Sequence, residues 1–257
     1  MSAALPARSG WEWVKQGATL FRKQAGVLTA LLFINLMISV VLGVIPFIGP
    51  MLGVVLIPSL SMAILQACAL IAVDQRVNLA VLATGFRKPA VIALCKLGLV
   101  YLGVSLLLTV LIHFSIDDDF MKQFSAPIDP KTGPVINASD LATMFGIMLL
   151  QVATVILLCF AAPLVAWQGM SAGKATFYSF FAVVGATRAF FVMLLSWFAI
   201  FFLVLMIVVM VLGNSDMGRV VIMWVGLMFV LLLQCAIFAA YRQIFGAPAV
   251  AEKPVKV

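Results

Sequence analysis

Polar and apolar positions in this chain separate on the scale of whole helices. Long uncharged runs come in pairs, and shorter mixed segments carrying cations stand between the pairs. The runs cover residues 25–44, 49–73, 90–113, 141–167, 190–212 and 220–241. A helix rising 1.5 Å per residue needs about 20 apolar residues to cross a hydrocarbon core of roughly 30 Å, and every run meets that length. The pattern predicts an all-α, polytopic membrane helical bundle: six transmembrane helices in a single membrane domain, residues 1–257. Pro46-Phe47-Ile48-Gly49-Pro50 is too short for any connection but an antiparallel hairpin. Residues 115–139, with Asp117-Asp118-Asp119 and several prolines, are too polar and too broken to enter lipid.

The mixed segments echo one another. Ala18-Thr19-Leu20-Phe21-Arg22-Lys23-Gln24-Ala25 returns 65 positions later as Ala83-Thr84-Gly85-Phe86-Arg87-Lys88-Pro89-Ala90, with six of eight positions identical. Both copies stand directly before an apolar run. A second, weaker echo relates Leu65-Gln66-Ala67-Cys68-Ala69 to Leu233-Gln234-Cys235-Ala236. Together they suggest three pseudo-repeated units, each an interfacial helix followed by a membrane hairpin, related by an axis along the membrane normal. The register of the third unit, near 171–188, is ambiguous.

In the first mixed segment Ser9-Gly10-Trp11-Glu12 fits a capping box. Trp11, Val14, Ala18 and Phe21 would share an apolar face, opposite Glu12, Lys15, Gln16, Thr19 and Lys23, as in a helix lying among headgroups. In the third, Phe177, Phe180, Phe181 and Val184 would share one. The second run carries Gly49 and Gly53 in G-x-x-x-G spacing, then Ser59, Ala63 and Ala67, a small-residue stripe that would make this helix central. Pro58 would bend it.

Composition agrees: 65% of residues are hydrophobic and 10% charged. Soluble domains average roughly 45–50% and about 25%. A net charge of +7 would suggest nucleic acid if the cations formed a solvated patch, but here they flank apolar runs. With six spans both termini share one side. That side holds twelve cations, among them Arg22, Lys23, Arg87, Lys88 and Arg188, the expected lipid-headgroup contacts. The other side holds only Lys122, Lys131 and Arg219, with most of the acids. Cations resist translocation, so both termini are expected in the cytoplasm and the acidic loop outside it.

Little in the sequence carries chemistry. Lys96 is the one charge well inside a span, about 10 Å beyond Pro89 at 1.5 Å per residue, and a lysine stem reaches back most of that distance. Lys96, Tyr101 and Gln151 form the candidate polar intramembrane site. Gln66, Gln151 and Gln234 read as interhelical glue, while Asn35 has no assigned role. No Asp or Glu falls inside a span, which counts against a proton- or sodium-coupled pump. His113 and Asp117 lie one turn apart but lack a third metal ligand. The four cysteines all sit in apolar runs without metal or redox spacing and read as packing residues. No catalytic motif, cofactor or metal is expected.

Several pieces of the chain taken together carry a resemblance: Gly17-x-x-Leu20-Phe21-Arg22-Lys23, Ile45-Pro46-x-Ile48-Gly49-Pro50, Pro58-x-Leu60, Gly85-Phe86-Arg87 and Tyr241-Arg242-x-Ile244-Phe245-Gly246. Over nearly its whole length the chain resembles an uncharacterised family of six-span bacterial inner-membrane proteins. More distantly it is similar to the membrane domain of some glycerophosphodiester phosphodiesterases, without a counterpart of their catalytic barrel. The resemblance implies a place in the bacterial inner (plasma) membrane and an architecture, not an activity. The expectation is a non-enzymatic membrane organiser whose partners are membrane lipids and other membrane proteins. The alternative is a facilitator or exporter of a small or amphipathic solute.

Overall fold

A computed structural model describes residues 5–46, 48–87, 90–115, 138–213 and 215–248. The described residues are helical and connecting segments without strands. In chain order the elements are α1 (Arg8–Lys23), α2 (Ala25–Gly43), α3 (Ile48–Ala72), a 3₁₀ helix (Leu79–Phe86), α4 (Ala90–Ser115), α5 (Ala138–Leu157), α6 (Ala161–Gln168), α7 (Ala172–Gly185), α8 (Thr187–Leu212) and α9 (Asp216–Phe245). Six stretches are long and apolar enough to cross a membrane: Ala25–Gly43, Ile48–Ala72, Ala90–Leu111, Phe145–Gln168, Thr187–Leu212 and Asp216–Phe245. These match the six expected runs, with ends shifted by a few residues.

The central element is α3. In its most apolar stretch 61% of residues are buried inside the protein, against 6% to 22% for the other five. It packs on α2, α4, α6, α9 and the 3₁₀ helix. The first hairpin is tied at its base, where Lys23 Nζ meets Asp74 Oδ1 at 2.6 Å. Gln24 donates to the Gln75 carbonyl at 2.8 Å and accepts from the Val77 amide at 3.1 Å. Halfway along, Asn35 donates to the Leu60 carbonyl of α3 at 3.1 Å. Such bonds fasten two helices where lipid offers them no other partner.

The stripe on α3 works only in part. Ser59, Ala63 and Ala67 are buried, but a Cβ added to Gly53 would meet nothing within 4 Å, and Gly49 faces the carbonyl of Leu42 within its own hairpin. The close approach comes from the opposite partners. Gly98 of α4 lies against the backbone of Val55, and Gly85 lies against that of Ser59. The glycines that let α3 be approached are therefore mostly not on α3.

The short helix α1 docks on the bundle through small residues. Its docked face is Ser9, Gly10, Trp13, Gly17 and Leu20, while Trp11 is 41% exposed. A Cβ on Gly10 would overlap the Ala189 carbonyl of α8, and one on Gly17 would stand 2.7 Å from the Ala236 amide nitrogen of α9. Van der Waals contact drives association in lipid, so the smallest side chains define the packed face, not the most apolar ones. Trp13 fills the space between them, fully buried, with its indole N–H donating to Gln243 and its ring edge-on to Phe190. The capping box is not formed. The helix begins two residues earlier than a Ser9 cap requires, its N-cap Ala7 makes no side-chain bond, and Glu12 pairs with Arg8 at 3.6 Å and Lys15 at 3.5 Å.

In α7 the same rule holds. Ala175, Ser179 and Val183 are buried, whereas Phe177, Phe180, Phe181 and Val184 are exposed on the bundle surface. The second mixed segment forms a 3₁₀ helix over Leu79–Phe86. The three short segments thus stand in corresponding places along the chain but differ in kind.

Replacing Gly17 by Leu should dislodge α1 from α9. Limited proteolysis in detergent is expected to release the N-terminal segment from the variant and not from the parent protein. Trp13→Ala should cost about 3–5 kcal/mol of stability, read in a denaturant titration.

Candidate functional site: a cavity beside a broken span

The fourth apolar run reads in sequence as one helix over 141–167. In the structure it is two, α5 ending at Leu157 and α6 beginning at Ala161. The cause is local. Pro163 lies in the first turn of α6, where it has no N–H to give to the carbonyl four residues back, and its ring crowds that carbonyl. A helix starts readily just ahead of such a proline but does not run through it without disturbance.

A break at membrane depth frees backbone groups that lipid cannot satisfy. Two side chains from other helices satisfy them here. Ser179 of α7, fully buried, donates to the Leu157 carbonyl at 2.6 Å and accepts from the Phe160 amide at 3.1 Å. Tyr101 of α4 donates to the Leu158 carbonyl at 2.9 Å, beside the bond that this carbonyl already accepts from the Ala161 amide at 3.0 Å. Phe160, between these bonds, is fully buried against Phe190, Tyr241 and Phe245, with ring centroids 5.6, 6.1 and 5.5 Å away.

Beside the break lies a cavity of about 320 Å³. Pockets for small apolar molecules run from roughly 300 to 1,000 Å³, so this one is at the small end of that range. Its walls are one face of α3 (Val54, Ile57, Ser61, Leu65), one of α4 (Tyr101, Val104, Ser105, Leu108), the end of α5 with Leu158, Cys159 and Ala162, and one of α9 (Val230, Leu233, Gln234, Ile237). The spacings of three, four and seven residues are those of single helical faces. The cavity is not sealed. Val155 and Val230 line it and are 62% and 46% exposed, so it opens on the flank of the bundle.

Most of its lining is apolar, and no Asp, Glu, Lys or Arg contributes among the described residues. The hydroxyls of Ser61 and Thr154 are spent on carbonyls of their own helices, at 2.9 and 2.8 Å. The hydroxyl of Ser105 and two carboxamides remain. The carboxamides of Gln151 and Gln234 make no hydrogen bond within the described residues. By contrast Gln66 accepts from Trp167 Nε1 at 2.7 Å. Of the three glutamines expected to fasten helices, only Gln66 does so.

The structure brings Tyr101 and Gln151 of the expected intramembrane site together at this cavity and leaves Lys96 out. Lys96 is exposed on another face of α4. Arg22, Lys23, Arg87 and Arg188 are exposed at the starts of spans, Lys23 being the one paired with Asp74. Lys88 and Asp117 fall outside the described residues, while His113 lies near the end of α4. Gln234 and Ser179 were not singled out for this site. Pro163 was the visible sign of a break, but nothing in the spacing of Ser179, on a helix rich in exposed aromatics, shows which serine would cap it.

Two of the four cysteines meet. Cys68 and Cys235 are fully buried with sulfurs 3.5 Å apart, so the weaker sequence echo coincides with a contact between α3 and α9. All four thiols are free. A second cleft, about 430 Å³, lies between Pro6, Arg8, Glu12, Gln16, Arg242 and Gln243. Its charges are already engaged: Glu12 holds Arg8 and Lys15, and Arg242 donates to Gln16 at 3.1 Å.

Ser179→Ala leaves two buried backbone groups unpaired and should destabilise the protein by about 2–4 kcal/mol, and Tyr101→Phe by about 1–2 kcal/mol. Thr109→Val, which removes an exposed bond within α4, should cost under about 0.5 kcal/mol. Reversible unfolding in mixed micelles checks the order.

No family model matches the chain, and no solved structure matches it. Among curated proteins, one from Burkholderia thailandensis named a probable inner membrane protein is 27% identical over 249 residues, covering 93% of this chain and 92% of that relative. Nothing in these comparisons carries the likeness to glycerophosphodiester phosphodiesterases. The relative and the six apolar helices together support a multi-pass inner-membrane location.

Proposed function

We propose that this chain is a non-enzymatic membrane protein that holds a lipid-like molecule in the cavity beside its broken fourth span. The observation that carries this reading is the cavity itself: apolar, open on the flank and walled by α3, α4, α5, α6 and α9. A molecule dissolved in the bilayer reaches such an opening without crossing water. No nucleophile stands beside a base among the lining residues, so the reading assigns binding and no reaction. The same site suits a facilitator of an amphipathic solute, and the discontinuous span favours that second reading, since broken helices commonly line transport sites.

The positive-inside bias supports an orientation with both termini, and the cations at the starts of α2, α4 and α8, on the cytoplasmic side. Membrane lipids are the partners this arrangement implies, through Arg22, Arg87 and Arg188 at the headgroups and through the cavity within the bundle.

The test of occupancy is photocrosslinking in vesicles with a lipid carrying a diazirine in its acyl chain. Ser105→Trp fills the cavity and should reduce labelling of cavity peptides about tenfold, a loss of roughly 1.4 kcal/mol in binding. Met210→Trp, at a site 82% exposed on the flank of α8, should leave labelling unchanged. Equal labelling in both variants would remove the proposal. Flux of a fluorescent amphiphile across the same vesicles separates holder from facilitator. The orientation is checked with four native cysteines replaced by alanine: Asp118→Cys should react with an impermeant maleimide in intact cells, and Lys253→Cys only after permeabilisation.

A further inference from the structure

We infer that the occupant is an uncharged amphiphile whose hydroxyl or amide head hydrogen-bonds to Gln234 and Gln151. This rests on the cavity reading above and narrows it to one chemical class.

The argument is by matching what the walls supply. A charged head would need a counter-charge or several donors in a medium of low dielectric. None of the lining residues among those described is Asp, Glu, Lys or Arg, and the one cation inside a span, Lys96, is on another face of α4. A bare hydrocarbon would fill the apolar walls but leave both carboxamides without partners in a lipid environment. Each carboxamide offers one acceptor and two donors. A neutral head group with both a donor and an acceptor satisfies them, and its chain lies along Val54, Ile57, Val104 and Val230. The polar groups nearest by are already committed: Tyr101 to Leu158, Ser61 to Pro58 and Thr154 to Leu150. Gln234 and Gln151, with the Ser105 hydroxyl on the same lining, are therefore the side chains with free hydrogen-bonding capacity suited to read a head group.

The experiment uses the full chain in vesicles of phosphatidylethanolamine and phosphatidylglycerol. It compares three diazirine probes of equal chain length: a monoacylglycerol, a fatty acid above its ionisation range, and an alkane. In the parent protein the monoacylglycerol should label cavity peptides about tenfold more than the alkane, the scale of one or two net hydrogen bonds, and more than the fatty acid. Gln234→Leu should bring the monoacylglycerol-to-alkane ratio close to one while leaving alkane labelling as it was. Where Gln234→Leu fails to fold, Gln151→Leu, on the exposed rim, carries the same comparison. An unchanged ratio in the variant, or strongest labelling by the fatty acid, overturns the inference while the cavity reading stands. Absence of cavity labelling by all three probes overturns both.

Discussion

A peptide group inside hydrocarbon must find its hydrogen bond within the protein, and this requirement governs the bundle. Five of the six apolar stretches meet it by running as unbroken helices. The fourth does not, because Pro163 cannot continue the ladder behind it, and the loss is made good from outside by Ser179 and Tyr101. Those three bonds fix α7 and α4 to the break. They also account for why a buried serine stands on a helix whose other face is Phe177, Phe180 and Phe181, and why a tyrosine sits in the middle of an apolar span. Irregular backbone at this depth is tolerated where protein or a cavity surrounds it, and here both do.

Packing follows a related constraint. Lipid tails are as apolar as leucine, so burying leucine gains little between helices, and close contact between backbones gains more. Gly10 and Gly17 on α1, Gly98 on α4 and Gly85 on the 3₁₀ helix are positions where a methyl group would strike a neighbouring backbone. Large rings are used differently at the two surfaces. Inside, Trp13, Phe160, Phe190 and Tyr241 meet edge to face. Outside, the aromatic side chains of α7 and α8 are exposed on the bundle surface.

This division explains what could be read from sequence. The six spans were legible because length and absence of charge report directly on hydrocarbon thickness. The face by which α1 docks was not: an amphipathic wheel ranks Trp11 and Phe21 above Gly10 and Gly17, and in lipid that ranking is reversed. The small-residue stripe on α3 was half right, since close approach needs one small residue in the pair and the sequence alone does not say on which helix. At the candidate site, Tyr101 and Gln151 were legible as polar groups in apolar runs. Gln234 was visible too but indistinguishable from Gln66, because a free carboxamide and a bonded one have the same sequence.

Gln66 and Gln234 make that last difference informative. They occupy matched places in the echo, each near a cysteine, and the two cysteines touch where α3 meets α9. From this common point the surroundings diverge. Gln66 faces Trp167 of α6 and is bonded to it, so it serves the fold. Gln234 faces the space beside the break, where α5 has ended and no indole stands across from it. Had the fourth span continued as one helix, the Leu157 carbonyl and the Phe160 amide would have been bonded within it, and Ser179 would have had neither to hold. The proline that costs the helix its continuity therefore also separates the two glutamines by role, one structural and one with its hydrogen-bonding capacity turned toward the cavity.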